Sequence, residues 1–200
     1  MAARRLGTYL PIALLALVAA WLVLPGDVEG NGEKDAVIGD LSARVENESL
    51  LASFQLDHAL GDDFQRKVRS GLPTEIIFEF ELRRPRRSWF NATVARSRMQ
   101  VVAMYNVTTD EYLVNFKHDG ELASSRSVRE VEAVRAALTR HDDVFVFPLA
   151  EHPPSQRLHL RVRAELGTKT WLAFIPRTLE TDWAVTETFI PQEGVQVDSE

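Results

Sequence analysis

From Val37 onward apolar and polar residues alternate, and a period of two is the mark of strands with one buried and one solvated face. Leu41, Ala43 and Val45 keep this rhythm, Glu46-Asn47-Glu48-Ser49 reads as a turn, and Leu50, Ala52, Phe54 and Leu56 resume it. That predicts a hairpin. Ile76, Phe78, Phe80 and Leu82 share one face of the next strand, with Glu75, Glu79 and Glu81 on the other and Ile77 among them. Trp89 to Tyr105 is extended and longer than a usual strand, so a bulge or bend is expected. Asn106 to Asp110 turns the chain into a strand carrying Tyr112, Val114 and Phe116. Val144-Phe145-Val146-Phe147 is continuously apolar, as in a strand covered on both faces. Leu158, Leu160, Val162, Ala164 and Leu166 alternate with His159, Arg161, Arg163 and Glu165, which places the second set in solvent. A final strand is expected from Trp183 to Ile190.

Helical spacing occurs twice. Leu60, Phe64 and Val68 form a stripe over Leu60–Ser70, closed by Gly71 and Pro73. Val131, Val134 and Leu138 form another over Val128–Arg140, with Ser127 and Glu130 spaced as a capping box. About eight strands and two helices without a βαβ rhythm make a mainly β chain, formally α+β. The expected architecture is an antiparallel sheet or two-sheet sandwich with both helices packed at an edge or end.

The first 24 residues are of another kind. Arg4 and Arg5 precede a run from Leu6 to Leu24 with no charge, and Pro25-Gly26, Asp27 and Glu29 follow it. As a helix that run spans about 28 Å, close to the thickness of a bilayer's hydrocarbon. Basic residues before it and acidic ones after it orient the body outside the cytoplasm. A cleaved signal peptide is the alternative, with Val18-Ala19-Ala20 as a small-residue cleavage site. The expected organisation is a signal anchor or signal peptide over 1–24, a flexible acidic and glycine-rich tether over 25–36, the β-rich domain over 37–192 and a tail over 193–200. The tether's ends would lie about 20 Å apart.

Composition removes several classes of function. The net charge of −6 argues against a nucleic-acid binder. With no cysteine there is no disulfide, zinc–thiolate site, thiol nucleophile or lipidated cysteine. A small extracellular eukaryotic domain usually carries disulfides, so their absence tilts the reading toward a bacterial envelope protein. Three Asn-x-Ser/Thr triplets begin at Asn47, Asn91 and Asn106; in a bacterial chain they read as turn chemistry.

No catalytic constellation stands out. Asp57-His58, His141-Asp142-Asp143 and Glu151-His152 set acids beside histidines, but neighbours on a strand point to opposite faces. No catalytic residue, metal site or cofactor is expected. The candidate binding residues are Arg83, Arg84, Arg86 and Arg87, whose guanidinium groups would attract phosphate or carboxylate, with Arg96 and Arg98 extending the patch by parity. The alternative is that this basic run and Pro85 guard a sheet edge. Trp171 and Phe174, within Trp171-Leu172-Ala173-Phe174-Ile175, are the second candidate, as an apolar patch for a partner.

Ser70-Gly71-Leu72-Pro73, a strand ending in Arg83-Arg84, then Trp89, Tyr105, Thr108-Thr109, Tyr112, the helix near Ser127 and Asp182-Trp183 together resemble the bacterial envelope family catalogued as domain of unknown function 4390. The resemblance covers roughly 37–192 and implies an envelope location, with no established activity, cofactor or catalytic residue. The expected function is that of a membrane-anchored periplasmic module binding another envelope component, such as a signalling protein. The alternatives are a lipid or glycolipid binder and a hydrolase using a histidine and a carboxylate. The expected location is the bacterial inner membrane, with one N-terminal pass, or the periplasm after cleavage.

Overall fold

The computed structural model describes residues 35–85, 92–150, 156–171 and 175–199. The expected N-terminal helix, Arg86, Arg87, Asn91, His152 and Phe174 lie outside the described residues. No helix among the described residues is long and apolar enough to cross a membrane.

Two antiparallel sheets form a sandwich, and its faces are those the alternation specified. β1 (Val37–Glu46) and β2 (Ser49–Asp57) make the first hairpin. Asn47 and Glu48 both take positive φ, the condition for a two-residue hairpin turn with the right twist. β3 (Thr74–Arg84), β4 (Ala92–Asn106), β5 (Glu111–His118) and β6 (Glu121–Val128) form a meander. β7 (Arg140–Pro148) returns to β2, and β8 (His159–Trp171) pairs with β3. β9 (Ile175–Glu180) and β10 (Ala184–Val185) pair with β8, and β11 (Gln196–Asp198) with β1. The sheet orders are β11-β1-β2-β7 and β10-β8-β3-β4-β5-β6, with β9 beside β8.

Leu41, Ala43, Val45, Leu50, Ala52, Phe54 and Leu56 of one sheet are buried against Ile76, Phe78, Phe80, Leu82, Leu160, Val162 and Ala164 of the other. Phe54 meets Phe78 edge-on at 5.0 Å between centroids and Phe80 at 5.8 Å. Such pairs add to the burial itself.

Both helices cross between the sheets at one end. α1 (Phe64–Arg69) joins β2 to β3 and buries Phe64 and Val68. It begins later than the expected Leu60, because Gly61 accepts a turn hydrogen bond from the Phe64 amide and the chain enters the helix only after it. α2 (Val131–Thr139) joins β6 to β7 and buries Val134 and Leu138 as the stripe required. The expected capping box is not formed. Ser127 belongs to β6, opposite Leu113, and the helix starts from an extended Glu130 without a side-chain cap. Pairing along β5 outweighs the local cap, carrying the strand through Val128.

Other departures have equally local causes. Phe145 of β7 is exposed, so this strand is not covered on both faces. The register shifts from Leu50–Phe147 to Leu51–Phe145, making Val146 an extra residue and letting it and Phe147 both point inward. The last expected strand is reduced to Ala184–Val185, because buried Thr181 and Thr186 accept β8 amide hydrogens through their hydroxyls instead of continuing a ladder. Gln196–Asp198, in the expected tail, adds β11 to β1. The expected bulge in the long strand sits at Val94, between the Leu82–Ala95 and Arg83–Thr93 pairs.

The strand ends define two poles. Val37 pairs with Asp57, Ala59 and Leu60 lie beside Pro73 and Thr74, and Thr74 pairs with Ala103. The start of β1, α1 and the β4–β5 turn therefore share the α1 pole. The turns at Asn47-Glu48 and Asp119-Gly120 and the end of β3 at Arg84 share the opposite pole, where Phe145 packs 5.3 Å from His118 between centroids.

His141 is buried in the core, facing Phe54 and Phe78 at 5.0 and 4.7 Å between centroids, and its Nε2 has no hydrogen-bond partner among the described residues. Burial pushes its pKa down to about 4, against the smaller raising effects of its hydrogen bond to the Leu138 backbone and the Asp142 charge. The unfolded chain takes up this proton near pH 6.5 and the folded chain only near pH 4, so this contribution falls as the pH is lowered between them. Between pH 6.5 and about 5 the protein loses about 2 kcal/mol of unfolding free energy through this group. Urea unfolding of H141F across that range shows a correspondingly smaller loss; an unchanged pH slope contradicts the assignment.

Candidate functional site

The strand that contributes Phe78 and Phe80 to the core sends Glu79 and Glu81 to the outer face of the larger sheet. Antiparallel pairing sets Arg161 and Arg96 on either side of Glu81, and Arg163 and Arg98 on either side of Glu79. Two rows of Arg-Glu-Arg result. Directly opposed side chains lie about 5 Å apart at Cβ, which suits ion pairing.

Glu81 is the more enclosed, its side chain 10% exposed. It accepts from Arg96 Nε at 3.0 Å and from Arg161 Nε and Nη2 at 2.9 and 2.5 Å, and Arg83 Nε stands 4.0 Å away. Glu79 accepts from Arg98 Nη2 at 2.5 Å and from Arg163 Nε at 2.8 Å. Arg163 also pairs with Glu180. Trp183 lies under the guanidinium groups of Arg161 and Arg163, at 3.9 and 4.8 Å from its ring centroid. A planar cation over an indole face is held by electrostatics and stacking together.

Burial alone would raise both carboxyl pKa values. At Glu81 the Arg161 hydrogen bond and the charges of Arg161, Arg96 and Arg83 outweigh it; at Glu79 the bonds from Arg98 and Arg163 do so, and both pKa values are lowered. Both glutamates are thereby held as carboxylates that fix the arginine heads. Between the rows lies an open cleft of about 460 Å³ lined by Glu79, Glu81, Arg96, Arg98, Asp119 and Arg163.

The charge along this face is uneven. Among the described residues Arg83, Arg96 and Arg161 all lie within 4.0 Å of Glu81, and Arg84 follows at the end of the strand. The Arg96 side chain is 72% exposed and Arg84 is exposed at the strand end. Arg96, oriented through its Nε by Glu81 and otherwise exposed, can receive a carboxylate or phosphate group at this end.

Of the residues expected from sequence, Arg83 and Arg84 fall at this end. Trp171 ends β8 opposite Ile175. His159 of the same strand pairs with Arg83, so Trp171 stands roughly 40 Å along the strand from that arginine. The arginine and Trp171 candidates do not form one small site. Sequence reading missed the pairing of Glu79 and Glu81 with Arg161 and Arg163; the parity of each strand was visible, whereas their register was not.

Among the described residues the histidine–acid neighbours do not assemble. His141 is in the core while Asp142 and Asp143 are exposed, and Asp143 pairs with Arg44 at 3.1 Å. His58 is exposed with φ 59°, and the Asp57 carboxylate accepts from Gln55 at 2.7 Å. His118 lies 3.4 Å from Asp119. His159 is buried, only 8% exposed, not solvated as its parity suggested, because the ladder sets it directly against Arg83. Among the described residues no group of three His, Cys, Asp or Glu could hold a metal ion. The triplets at Asn47 and Asn106 do sit in exposed turns, with the Asn106 side chain accepting from the Thr108 amide at 3.0 Å.

Comparison with known proteins gives one match: the model of the family described as Domain of unknown function (DUF4390) covers residues 33–187. The chain belongs to the DUF4390 family. No curated protein and no solved structure matches it. The DUF4390 match spans every strand of the arginine face.

Within that face the enclosed Glu81 matters more to stability than the exposed Arg96. E81Q leaves three arginines without their shared counter-charge and costs about 1–3 kcal/mol. R96A costs less than about 1 kcal/mol. Urea unfolding of both variants checks this order, and a larger loss for R96A contradicts it.

Proposed function

We propose that this DUF4390 chain is a membrane-anchored, extracytoplasmic binding module whose arginine-rich sheet end docks an acidic segment of another envelope protein. The observation that carries this reading is the exposure of Arg96, oriented by Glu81, and of Arg84 at the same end of the sheet. Charge complementarity of this kind steers association and selects partners. The anchor and tether rest on the uncharged run from Leu6 to Leu24 and the acidic, glycine-rich stretch after it. Against a lipid carrier stands the ring-to-ring packing of Phe54, Phe78, Phe80 and His141 between the sheets. Against a histidine hydrolase stands the separation of His141 from Asp142 and Asp143.

The test is crosslinking of the full-length protein in its native membrane, followed by identification of the captured proteins. The wild type yields a reproducible protein partner, and the doubly reversed variant R84E/R96E loses most of that product while keeping its level in the membrane. Capture that ignores the charge reversal, or no reproducible partner, overturns the reading.

A further inference from the structure

We propose that the domain pairs with a second copy of itself through β6, edge to edge, joining the two larger sheets into one. The proposal stands apart from the docking reading above. Three observations converge on it.

The first is an open edge. Among the described residues β6 pairs with β5 on one side and with no strand on the other. A row of unpaired backbone donors and acceptors is a template for another strand, and sheets blunt such edges with charge, proline or shortness. The other edges carry these devices. β10 has two residues and β11 three. β7 carries exposed Asp142 and Asp143 and ends on Pro148, and the sequence of β9 includes Pro176 and Arg177. β6 has eight residues with neither proline nor lysine. Its irregularity is one extra residue, Ala123, between the Phe116–Ser124 and Lys117–Leu122 pairs, and residues 124–128 pair regularly beyond it.

The second is that β6 buries so little. Residues 121–127 are exposed on both faces, with Leu122 at 61%. The strand is held by its ladder to β5 and by contacts such as the Ser125 hydroxyl donating to the Asn115 side chain at 2.7 Å and Arg126 standing 4.7 Å over the Phe116 ring. A second ladder on the open edge supplies main-chain hydrogen bonds that need no buried face.

The third identifies the occupant. Glu121 pairs with His118 and Arg126 with Val114, so the two charges of β6 share one face and stand toward opposite ends of the strand. Such a strand is complementary to itself run backwards. Antiparallel identical strands are related by a two-fold axis normal to the sheet, with one residue facing its own copy. Centred on Ser124, the pairing sets Glu121 of each copy one position from the other's Arg126 on that shared face, forming two ion pairs by symmetry. Ala123, Ser124 and Ser125 lie at the centre, small enough for close approach. The groups beyond the strand ends agree. The same register carries Arg129, its side chain 78% exposed, toward the second copy's Asp119, and Glu130 toward its His118. A two-residue slip that centres the pair on Arg126 sets two guanidinium groups against each other and is disfavoured.

Because the axis is normal to the sheet, the outer faces of both larger sheets look the same way. The dimer therefore presents two copies of the Arg-Glu-Arg rows on one surface, an arrangement that lets a partner with two acidic segments engage both.

The test uses full-length protein in density-matched detergent micelles, where sedimentation equilibrium is expected to show a reversible dimer. The chain has no cysteine, so S124C places a single thiol beside the axis. Mild oxidation is expected to link two copies through it far more than through S70C, at another exposed position. R126E and E121R each set like charges across the axis twice and are expected to weaken the dimer about tenfold or more, while E121R/R126E returns it to within about threefold of the wild type. E121R keeps the Arg126–Phe116 contact, so its effect reports on pairing between copies. Protein that stays monomeric at every concentration overturns the proposal and leaves the arginine docking end untouched. A dimer that ignores both single reversals and is not linked by S124C belongs to another surface and also overturns it. Linkage of S124C in native membranes to a different protein overturns it too, assigning the edge to a strand of that protein.

Discussion

Phe54 is where the two sheets hold each other, and the arginine face depends on that contact although it lies on the other side of the sheet. Phe54 packs against Phe78 and Phe80, which alternate along β3 with Glu79 and Glu81. A one-residue slip of β3 would expel both phenylalanines and bury both glutamates. Aromatic packing therefore fixes the same register that sets Arg161 and Arg96 beside Glu81 and Arg163 and Arg98 beside Glu79. The core decides the site.

The two poles divide the remaining work of the fold. The crossovers α1 and α2 both lie where β1 begins, and Arg135 ties them together by donating to the Leu60 carbonyl at 3.1 Å and covering the Phe64 ring. Among the described residues the other pole carries the Asn47-Glu48 and Asp119-Gly120 turns and several strand ends, and Arg84 and Arg96 are exposed there.

The inward faces of β1, β2, β3 and β8 were legible because a half-buried strand must alternate, and Leu41, Phe54, Phe78 and Leu160 occupy the core as that pattern required. β6 was not legible through hydropathy: seven of its eight residues, from Glu121 to Ser127, are exposed, so no buried face marks it. Its signal was Asp119-Gly120, both with positive φ, a dipeptide that favours a tight hairpin. The start of α2 was misplaced because Ser127 and Glu130 have capping-box spacing, yet β5 recruits Ser127 as a strand residue. Arg83 and Arg84 were legible as a basic cluster. Their partners were not, since Glu81 and Arg161 stand eighty residues apart and meet only through strand pairing.

The proposed docking role requires the body of this DUF4390 protein to lie outside the cytoplasm while its N-terminal segment stays in the membrane. A single cysteine at position 48, in cells whose outer barrier has been opened and whose inner membrane is intact, tests this with a membrane-impermeant maleimide. Labelling of full-length protein that still carries residues 1–24 is the predicted result. A cysteine that reacts only after the inner membrane is broken would contradict it.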